Sequence, residues 1–240
     1  PPPPFLFFFP PPPPPPHPPP PCAPGFFFFY IPLFYKKKHL GTFGDAGILS
    51  FNGNKPITCG SGGAIITDNK TMSLKLKHLS THAKKQDLVD HIHDEIGYNY
   101  RMSNVCAAIG LGQLKVLTNR IMKKREIFNF YQNELSDIDE ITFLEEYQGA
   151  FSNYWLTTIL LEENSIIDRE KLRLNLHNDN IESRPLWKPM HLQPVFQDCK
   201  SYVNGVSEDL FNRGLCLPSG TSMTNEDMKR VRQNQSLTHK

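Results

Sequence analysis

The run Ile48-Leu49-Ser50-Phe51-Asn52-Gly53-Asn54-Lys55, followed by Thr58-Cys59-Gly60-Ser61-Gly62-Gly63, carries the strongest fold signal in the chain. An apolar, strand-like stretch ends at Ser50, a lysine follows five residues later, and a glycine cluster comes next. This arrangement can hold one amine in a buried site, where its charge is disfavoured, and a neutral lysine forms Schiff bases with aldehydes. By spacing alone, Lys55 also fits a surface lysine, and the glycines fit a tight turn between two strands.

The overall charge argues against polyanionic partners. The 240 residues suffice for one or two domains, and their formal net charge is +2. The sequence has no basic stripe with interleaved aromatic residues, which single-strand binders use, and no run of about 18 apolar residues for a membrane span. We therefore expect neither nucleic acid nor a membrane among the partners.

The cysteines indicate a reducing compartment, the cytoplasm. They are five, an odd number, and none forms a CxxC pair, which fits free thiols better than a disulfide framework or a zinc site. Their positions are Cys22, Cys59, Cys106, Cys199 and Cys216. Cys59, close to Lys55, is either a redox-sensitive thiol or a small buried filler.

Two neighbouring segments hold further candidate groups. One resembles a metal-binding cluster of His91, His93, Asp94 and Glu95. Histidines two residues apart share a face only in a strand, so we expect a polar loop and no metal. The other, residues 97–103 (Gly-Tyr-Asn-Tyr-Arg-Met-Ser), either offers donors to a phosphate or packs its aromatic rings on the core.

Residues 1–35 differ from the rest of the chain in composition. They hold 17 of the 22 prolines and 9 of the 17 phenylalanines, with no Asp, Glu, Lys or Arg. Prolines at this density favour polyproline II, and the phenylalanine clusters show no strand period, so we expect a disordered or artefactual segment. It is either a pyrimidine-rich tract read through or a docking arm for SH3-like or WW-like partners. The start at Pro1 and the missing basic n-region indicate a fragment or a mistranslated start rather than a signal peptide.

From residue 36 onwards, strand and helix patterns alternate, which indicates an α/β or α+β fold. Strands are predicted over 42–51, with turns at Gly44 and Gly47, and over 63–67, 153–161, 181–186 and 215–217. Helices are predicted over 72–79, 169–177 and 208–213, and from a capping-box-like start at Thr224 through Arg232.

Ser103 is predicted to cap a further, long helix, which continues or restarts through residues 125–135. Its core face is expected to consist of Val105, Ala108, Ile109, Leu114, Leu117 and Ile121.

Taken together, several motifs resemble one enzyme family over residues 36–232. They are Gly41-Thr42-Phe43-Gly44-Asp45-Ala46-Gly47, the lysine run and glycine cluster quoted above, Asp94-Glu95-Ile96-Gly97-Tyr98-Asn99-Tyr100-Arg101-Met102-Ser103-Asn104, Ala107-Ala108-Ile109-Gly110, Gln113-Leu114 and Ser152-Asn153-Tyr154-Trp155-Leu156. In this order they resemble the DegT/DnrJ/EryC1/StrS sugar aminotransferases.

The resemblance implies the fold and the cofactor. The fold would be the α/β fold type I of pyridoxal phosphate (PLP)-dependent transferases, with 36–125 as the C-terminal part of the large PLP-binding domain and 126–240 as a small C-terminal α+β domain. Lys55 matches the catalytic lysine that binds PLP covalently, and Ser50 the residue that hydrogen-bonds its phosphate. Asn99 matches the amide that reaches the cofactor phosphate of a neighbouring subunit, which implies a homodimer.

The resemblance also implies a substrate class. The segment Ser183-Arg184-Pro185-Leu186-Trp187-Lys188-Pro189-Met190-His191 with Gln193-Pro194 is most similar to the branch that aminates C4 of UDP-linked 4-keto-6-deoxy-N-acetylhexosamine. The implied amino donor is glutamate, and the implied product serves bacterial-type surface glycans, as in the bacillosamine and legionaminic-acid pathways. Arg184 and His191 lie in the segment that lines the sugar-nucleotide side.

The chain departs from the family pattern before Asp45. The family has an upstream acid that pairs with the pyridine nitrogen of PLP, and no Asp or Glu precedes Asp45 here. The upstream phosphate loop and the first strands of the sheet are also missing from the pattern. Two alternatives therefore stay open: an inactive remnant that dimerises or binds a nucleotide sugar, and a different keto-sugar aminotransferase of the perosamine type.

Overall fold

The computed structural model describes residues 5–9, 26–29, 33–85 and 89–235. Its strands are β1 (Phe5–Phe9), β2 (Phe26–Phe29), β3 (Phe34–Tyr35), β4 (Lys38–His39), β5 (Ala46–Ser50), β6 (Gly63–Thr67), β7 (Ile141–Phe143), β8 (Ala150–Phe151), β9 (Thr157–Leu161), β10 (Arg184–Pro185) and β11 (Gly214–Leu217). Its α-helices are α1 (Lys70–Ser80), α2 (Asn104–Lys115), α3 (Leu117–Glu134), α4 (Arg169–Asn178), α5 (Val206–Arg213) and α6 (Asn225–Gln235).

The described residues form two compact units. The first contains those up to Arg120 together with Tyr147–Asn153, and the second contains Ile121–Glu146 and those from Tyr154 onwards. The division after residue 125 made from the sequence stays a prediction. Within the described ranges, no helix is both long enough and apolar enough to cross a lipid bilayer.

Strands β5 and β6 form the antiparallel hairpin at the centre of the first unit's main sheet. The strand order is β1-β6-β5-β2, and Ser50 at the end of β5 is in register with Gly63 at the start of β6. A Cβ atom at Gly63 would lie 2.5 Å from the Leu49 carbonyl oxygen, so only glycine allows this close backbone approach. The loop between the two strands therefore leaves and re-enters the sheet at a fixed point.

The first part of the strand predicted over 42–51 is wrong. A 3₁₀ turn covers Leu40–Thr42, and β5 begins only at Ala46. Gly47 was predicted as a turn but lies inside β5, where a Cβ atom would be 2.0 Å from the Gly41 carbonyl oxygen. The glycine is there because the 3₁₀ turn passes directly over the strand.

Two phenylalanine runs form strands, which differs from the expectation of an unstructured N-terminal segment. Phe5–Phe9 pairs antiparallel with β6, and Phe26–Phe29 pairs parallel with β5. The open edges of a hairpin provide backbone donors and acceptors for any extended chain, and phenylalanine favours strands without needing an alternating pattern. The expectation of polyproline II concerns prolines outside the described residues.

Helix α2 begins as predicted. The Ser103 hydroxyl accepts a hydrogen bond from the Cys106 backbone N–H at 3.2 Å, which confirms the predicted cap. The helix ends at Lys115, and α3 starts at Leu117. Of the two possibilities that the sequence left open, the structure therefore shows a restart.

The predicted core face of α2 is wrong. Val105 is 70% exposed and Ile109 is 46% exposed. Within α2, Gly110 is buried instead, and Cys106 packs against the buried cluster of the first unit. The two members of the predicted face that lie in α3 are confirmed: Leu117 packs against the same cluster, and Ile121 is 3% exposed. Because α2 is apolar on almost every side, hydrophobicity could not identify its core face. The core face is the one with Gly110, because this small residue lets the helix approach Cys59 closely.

The second unit is built on an antiparallel sheet in the order β10-β11-β9-β7. Ile159 of β9 and Leu215 of β11 are paired and fully buried. Helices α3, α4 and α6, together with Leu135 directly after α3, complete this core; the helical residues are Ile127, Tyr131, Leu172, Leu176, Met228 and Val231. The rings of Trp155 and Trp187 lie 5.8 Å apart in the same unit.

The capping box before α6 is confirmed. The Asp227 backbone N–H donates to the Thr224 hydroxyl at 3.2 Å, and the Thr224 N–H donates to the Asp227 carboxylate at 2.9 Å. These two reciprocal bonds satisfy donors that have no partner inside the helix.

Two strands predicted in this part are too long. Only Thr157–Leu161 of residues 153–161 and only Arg184–Pro185 of residues 181–186 are strands. Tyr154 has a φ of 40°, so the chain turns before β9. Pro185 has no N–H to extend the ladder of β10.

Lys124 is a charged residue inside the second unit. It is 7% exposed, and its Nζ donates to the carbonyl oxygens of Trp155 and Ser219, both at 2.9 Å. A buried ammonium is tolerated only where such acceptors surround it. Lys124 therefore joins α3 to the segments before β9 and after β11.

We expect Lys124→Met to destabilise the protein by about 1–3 kcal/mol, because the variant keeps the volume but removes the lysine donor from the buried carbonyl oxygens of Ser219 and Trp155. The Trp155 carbonyl keeps the Ser219 hydroxyl as a donor at 3.3 Å. The free energy of unfolding would be measured by urea titration with far-UV circular dichroism. The neighbouring Lys123, which makes an ion pair with Glu126 at the surface, provides the control. Lys123→Met should stay within about 0.5 kcal/mol of the parent, and equal losses for both variants would contradict the assigned role.

Candidate active site

Lys55 lies in the closed loop between β5 and β6. The Phe51 N–H donates to the Gly62 carbonyl at 2.9 Å, and the Cys59 N–H donates to the Phe51 carbonyl at 3.1 Å. Inside this frame the Lys55 N–H donates to the Asn52 carbonyl at 3.1 Å, which forms a turn directly before the lysine side chain. The loop is therefore held by its own backbone and begins at Ser50, the last residue of β5.

Two glycines with left-handed backbone conformations allow this loop to close. Gly60 has a φ of 87° and Gly62 a φ of 93°, a region that residues with a Cβ atom rarely adopt. The Thr58 hydroxyl adds a bond to the Phe51 carbonyl at 3.0 Å and accepts the Gly60 N–H at 2.8 Å. The glycine cluster thus serves as a tight turn and, at the same time, shapes the loop that carries the lysine.

The environment of the Lys55 amine disfavours its charge. Phe51, Ile57 and Cys59 are buried on either side of the lysine in sequence, and Lys55 itself is partly buried. This burial lowers the pKa of Lys55 to about 8. At that pKa, roughly one amine in ten is neutral at pH 7, so the group is poised for reaction with an aldehyde.

Asn99 lies in a second loop of the same unit. It forms an isolated antiparallel β-bridge with Thr81. Its sequence neighbours Tyr98 and Tyr100 stack their rings on each other, with 4.9 Å between the ring centroids. A Cβ atom at Gly97 would lie 2.2 Å from the Ala83 nitrogen. This close approach fixes the loop, and Asn99 remains exposed. Tyr98 is 48% exposed, so the aromatic rings of this loop are not simply part of the core.

The acidic and histidine-rich segment forms a charge cluster with a different histidine. His78 Nε2 lies 2.6 Å from an Asp94 carboxylate oxygen, and one ligand atom each of His78, Asp94 and Glu95 lie within 4.8 Å of one another. The hydrogen bond from His78 holds the pKa of the Asp94 carboxyl below its usual range. Lys75 donates to Glu95 at 2.5 Å, so an ammonium already neutralises this carboxylate. The cluster joins α1 to the segment before Gly97.

Arg184 and His191 belong to the second unit, whereas Ser50, Lys55 and Asn99 belong to the first. Arg184 opens β10, and its guanidinium bonds the Glu182 carboxylate at 2.8 Å. His191 Nε2 lies 2.8 Å from a Glu208 carboxylate oxygen in the first turn of α5. Each of the two side chains is therefore oriented by one acid.

Known proteins place this architecture in a family. Residues 31–235 match the DegT/DnrJ/EryC1/StrS aminotransferase family. The chain belongs to this family. EpsN of Bacillus subtilis, a proposed PLP-dependent aminotransferase, is 44% identical over 201 residues, which are 82% of this chain and 51% of EpsN.

Two further relatives act as points of comparison. GDP-perosamine synthase of Escherichia coli O157:H7 is 41% identical over 197 residues, covering 81% of this chain and 52% of the synthase. The aminotransferase PseC of Helicobacter pylori, involved in the biosynthesis of pseudoaminic acid, has 25% identity and a TM-score of 0.79 over 86% of this chain and 56% of PseC. The chain thus spans about half the length of the relatives it matches. The predicted family and the predicted α/β transferase fold are confirmed.

The residues that support the lysine loop (residues 51–62) from outside were not predicted from the sequence. Gly110 and Arg120, from α2 and α3, both contact the loop. An isolated glycine in the middle of a helix was the available signal for Gly110, whereas nothing in the sequence indicates the Arg120 contact. His78 was missed because it lies 16 residues from its acidic partner.

We predict that Lys55 reacts with an acylating reagent with a half-maximal rate near pH 8, because burial lowers its pKa to about 8. An ordinary lysine reaches this point near pH 10.4. The measurement is competitive labelling of the whole chain between pH 6 and 11, with the modified peptides quantified by mass spectrometry. A half-point for Lys55 equal to that of a free peptide lysine would show that the amine is solvated.

Proposed function

We propose that the chain is part of a PLP-dependent sugar-nucleotide aminotransferase. The amino group would pass from glutamate to C4 of a UDP-linked 4-keto-6-deoxy-N-acetylhexosamine, for the synthesis of surface glycans. The observation that carries the proposal is Lys55, a partly buried amine with a pKa lowered to about 8 in a closed loop directly after Ser50. In this proposal residues 36–125 belong to the PLP-binding domain and 126–240 to the small domain.

The residues of the loop fit two ends of PLP, the aldehyde and the phosphate. An amine must be neutral to join an aldehyde, and the lowered pKa of Lys55 provides this. Ser50 offers a hydroxyl donor at the end of β5, where the strand passes into the lysine loop. When bound, PLP supplies an electron sink for the carbon that carries the amino group.

Lys55 would have two roles. Its Nζ would hold the cofactor covalently, and, once released as a free amine, it would move a proton to and from the amino-bearing carbon. A pKa near the working pH suits both roles, because the same nitrogen must accept and donate a proton. Ser50 would donate to the cofactor phosphate, and Asn99 would donate to the phosphate bound by a second subunit.

Arg184 and His191 are the proposed contacts to the nucleotide sugar. The ion pair of Arg184 with Glu182 is largely exposed, and exposed pairs contribute little. Arg184 can therefore exchange its partner for an anionic group of the substrate at small cost. His191, held by Glu208, has one further ring nitrogen for a polar group of the substrate.

The names of the relatives support a nucleotide-sugar substrate but differ in the nucleotide. GDP-perosamine synthase of Escherichia coli O157:H7 is 41% identical. A Campylobacter jejuni UDP-4-amino-4,6-dideoxy-N-acetyl-beta-L-altrosamine transaminase is 32% identical. The choice of UDP follows from the segment with Arg184 and His191, and a GDP-linked 4-keto sugar is the second candidate.

The second candidate function is a module that binds a nucleotide sugar or a second copy of the chain without catalysis. It would use the polar groups of Arg184 and His191 and would not need the reactivity of the Lys55 amine.

A homodimer is proposed from the surface of α2. Val105 is 70% exposed and Leu111 64% exposed, and only Gly110 of this helix is buried. Helices that are apolar on every side are normally covered. A second copy of the chain, which the role proposed for Asn99 also requires, is the proposed cover.

The test of the cofactor role is reduction with borohydride in the presence of PLP, followed by peptide mapping of the purified chain. We expect one reduced adduct on Lys55 and its loss in Lys55→Arg, because arginine does not form a Schiff base. Lys77→Arg, a change on α1 in the same unit, is the control and should keep the adduct.

Products with glutamate and UDP-linked or GDP-linked 4-keto sugars then separate the candidate functions. A 4-amino product from the UDP sugar supports the proposal, and a product from the GDP sugar alone supports the perosamine type. An adduct on Lys55 without any product would support the binding module.

The test of the homodimer is Ile109→Lys, which places a charge on the apolar surface of α2. We expect a shift from dimer to monomer in sedimentation velocity, since burying an unpaired ammonium is unfavourable. Lys115→Glu, at the end of the same helix, is the charge-change control and should keep the dimer. Identical sedimentation of the parent and Ile109→Lys would contradict a dimer through this face.

A further inference from the structure

The lysine loop is anchored to α2 through a contact between Cys59 and Gly110. A Cβ atom at Gly110 would lie 2.7 Å from the Cys59 sulfur, a separation that real side chains do not tolerate. Cys59 is 3% exposed and belongs to the buried cluster of the first unit, so moving its sulfur would disturb packed neighbours. The absence of a side chain at Gly110 therefore sets how closely the loop approaches the helix.

A second anchor holds the other side of the same short segment. Arg120, in the first turn of α3, donates from Nη1 to the carbonyl oxygen of Pro56 at 3.4 Å. Pro56 directly follows Lys55, and Cys59 is four residues away. Between these two points Ile57 is 3% exposed and belongs to the buried cluster. The peptide on the C-terminal side of the lysine thus has little freedom to move.

These anchors determine how deeply the amine sits. Burial is the cause of the lowered pKa of Lys55, so a change in loop position acts directly on its protonation. Titratable groups at the anchored segment include the thiols of Cys59 and Cys106 and the guanidinium of Arg120. Burial, and to a smaller extent Cys106, raises the pKa of the Cys59 thiol, so Cys59 adds no charge.

We infer that Gly110 and Arg120 are positioning residues for Lys55: the two contacts hold the lysine loop against α2 and α3 and thereby keep its amine desolvated. The inference rests on the proposed function for its significance, since a neutral amine matters only if Lys55 reacts with a carbonyl group. Neither residue needs to contact the cofactor or the substrate. Their effect passes through the backbone of residues 56–59.

Helix α2 contains its own control for this inference. Gly112 lies two residues further along, and a Cβ atom there would meet no atom of the described residues within 4 Å outside the backbone of its own helix. Replacing either glycine by alanine improves the helix propensity equally. A difference between the two variants therefore reports the contact with Cys59 and not the helix.

The experiment is the pH profile of Lys55 acylation in the full chain without cofactor or sugar. We expect Gly110→Ala to move the half-point of Lys55 from about 8 towards 10.5, the value of an unperturbed lysine. At the full shift, about 1 amine in 300 would be neutral at pH 8, compared with about half in the parent. Gly112→Ala should leave the half-point unchanged, and Gly110→Ala combined with Cys59→Ala should restore it, because the smaller side chain makes room for the new methyl group.

Arg120→Ala keeps the inference testable should Gly110→Ala not fold. It should shift the half-point in the same direction, and Arg120→Lys should shift it less, because lysine retains a donor. Far-UV circular dichroism confirms folding for each variant. An unchanged half-point in folded Gly110→Ala and Arg120→Ala, or an equal shift in Gly112→Ala, would overturn the inference.

This measurement is independent of the proposed enzyme activity. A shifted half-point without any PLP adduct would uphold the positioning role and contradict the aminotransferase proposal. A normal PLP adduct on Lys55 with unshifted half-points would uphold the aminotransferase proposal and contradict the positioning role.

Discussion

The first unit depends on close contact between backbones and small residues. Gly63 lets the two strands of the central hairpin approach, Gly47 admits the 3₁₀ turn over β5, and Gly110 lets α2 approach the loop that follows β5. Each of these contacts excludes a Cβ atom. The lysine loop is consequently held from the sheet at one end and from the helix at the other, and burial desolvates its amine. The chemistry of Lys55 is therefore a result of how closely the chain packs around it.

The second unit is stabilised in a different way. Its antiparallel sheet and three helices share an apolar core around Ile159 and Leu215. The main polar exception is Lys124, whose ammonium binds two backbone carbonyls. The Tyr131 hydroxyl similarly donates to the Pro218 carbonyl at 3.0 Å. Side chains of α3 thus replace sheet hydrogen bonds at the ends of β9 and β11, which lets both strands stop where the chain needs to turn.

The local signals in the sequence predicted what depends on neighbouring residues. The caps at Ser103 and Thr224, the helix over residues 169–177 and the strand Gly63–Thr67 all follow from short-range hydrogen bonds or periodicity. The position of Lys55 after a strand and before a glycine turn was also visible.

What the sequence did not predict depends on distant partners. The core face of α2 was wrong because almost all of its surface is apolar, and the face was selected by Cys59, about fifty residues earlier in the chain. The phenylalanine runs lack an alternating pattern, yet β5 and β6 offer them free edges. For the same reason the histidine in the charge cluster was missed, because His78 meets Asp94 only after α1 has folded.

The arrangement of the aromatic residues has a spectroscopic consequence. The chain has two tryptophans, Trp155 and Trp187, and both lie in the second unit with their rings 5.8 Å apart. Emission from the indole rings therefore reports the state of that unit alone, and melting of the lysine-bearing unit can pass without a signal in this channel. Tyrosines lie in both units, among them the stacked pair Tyr98 and Tyr100 in the first, so near-ultraviolet absorbance responds to both units. Comparing the indole emission with this absorbance in one sample therefore shows whether the two units melt together, without an attached label.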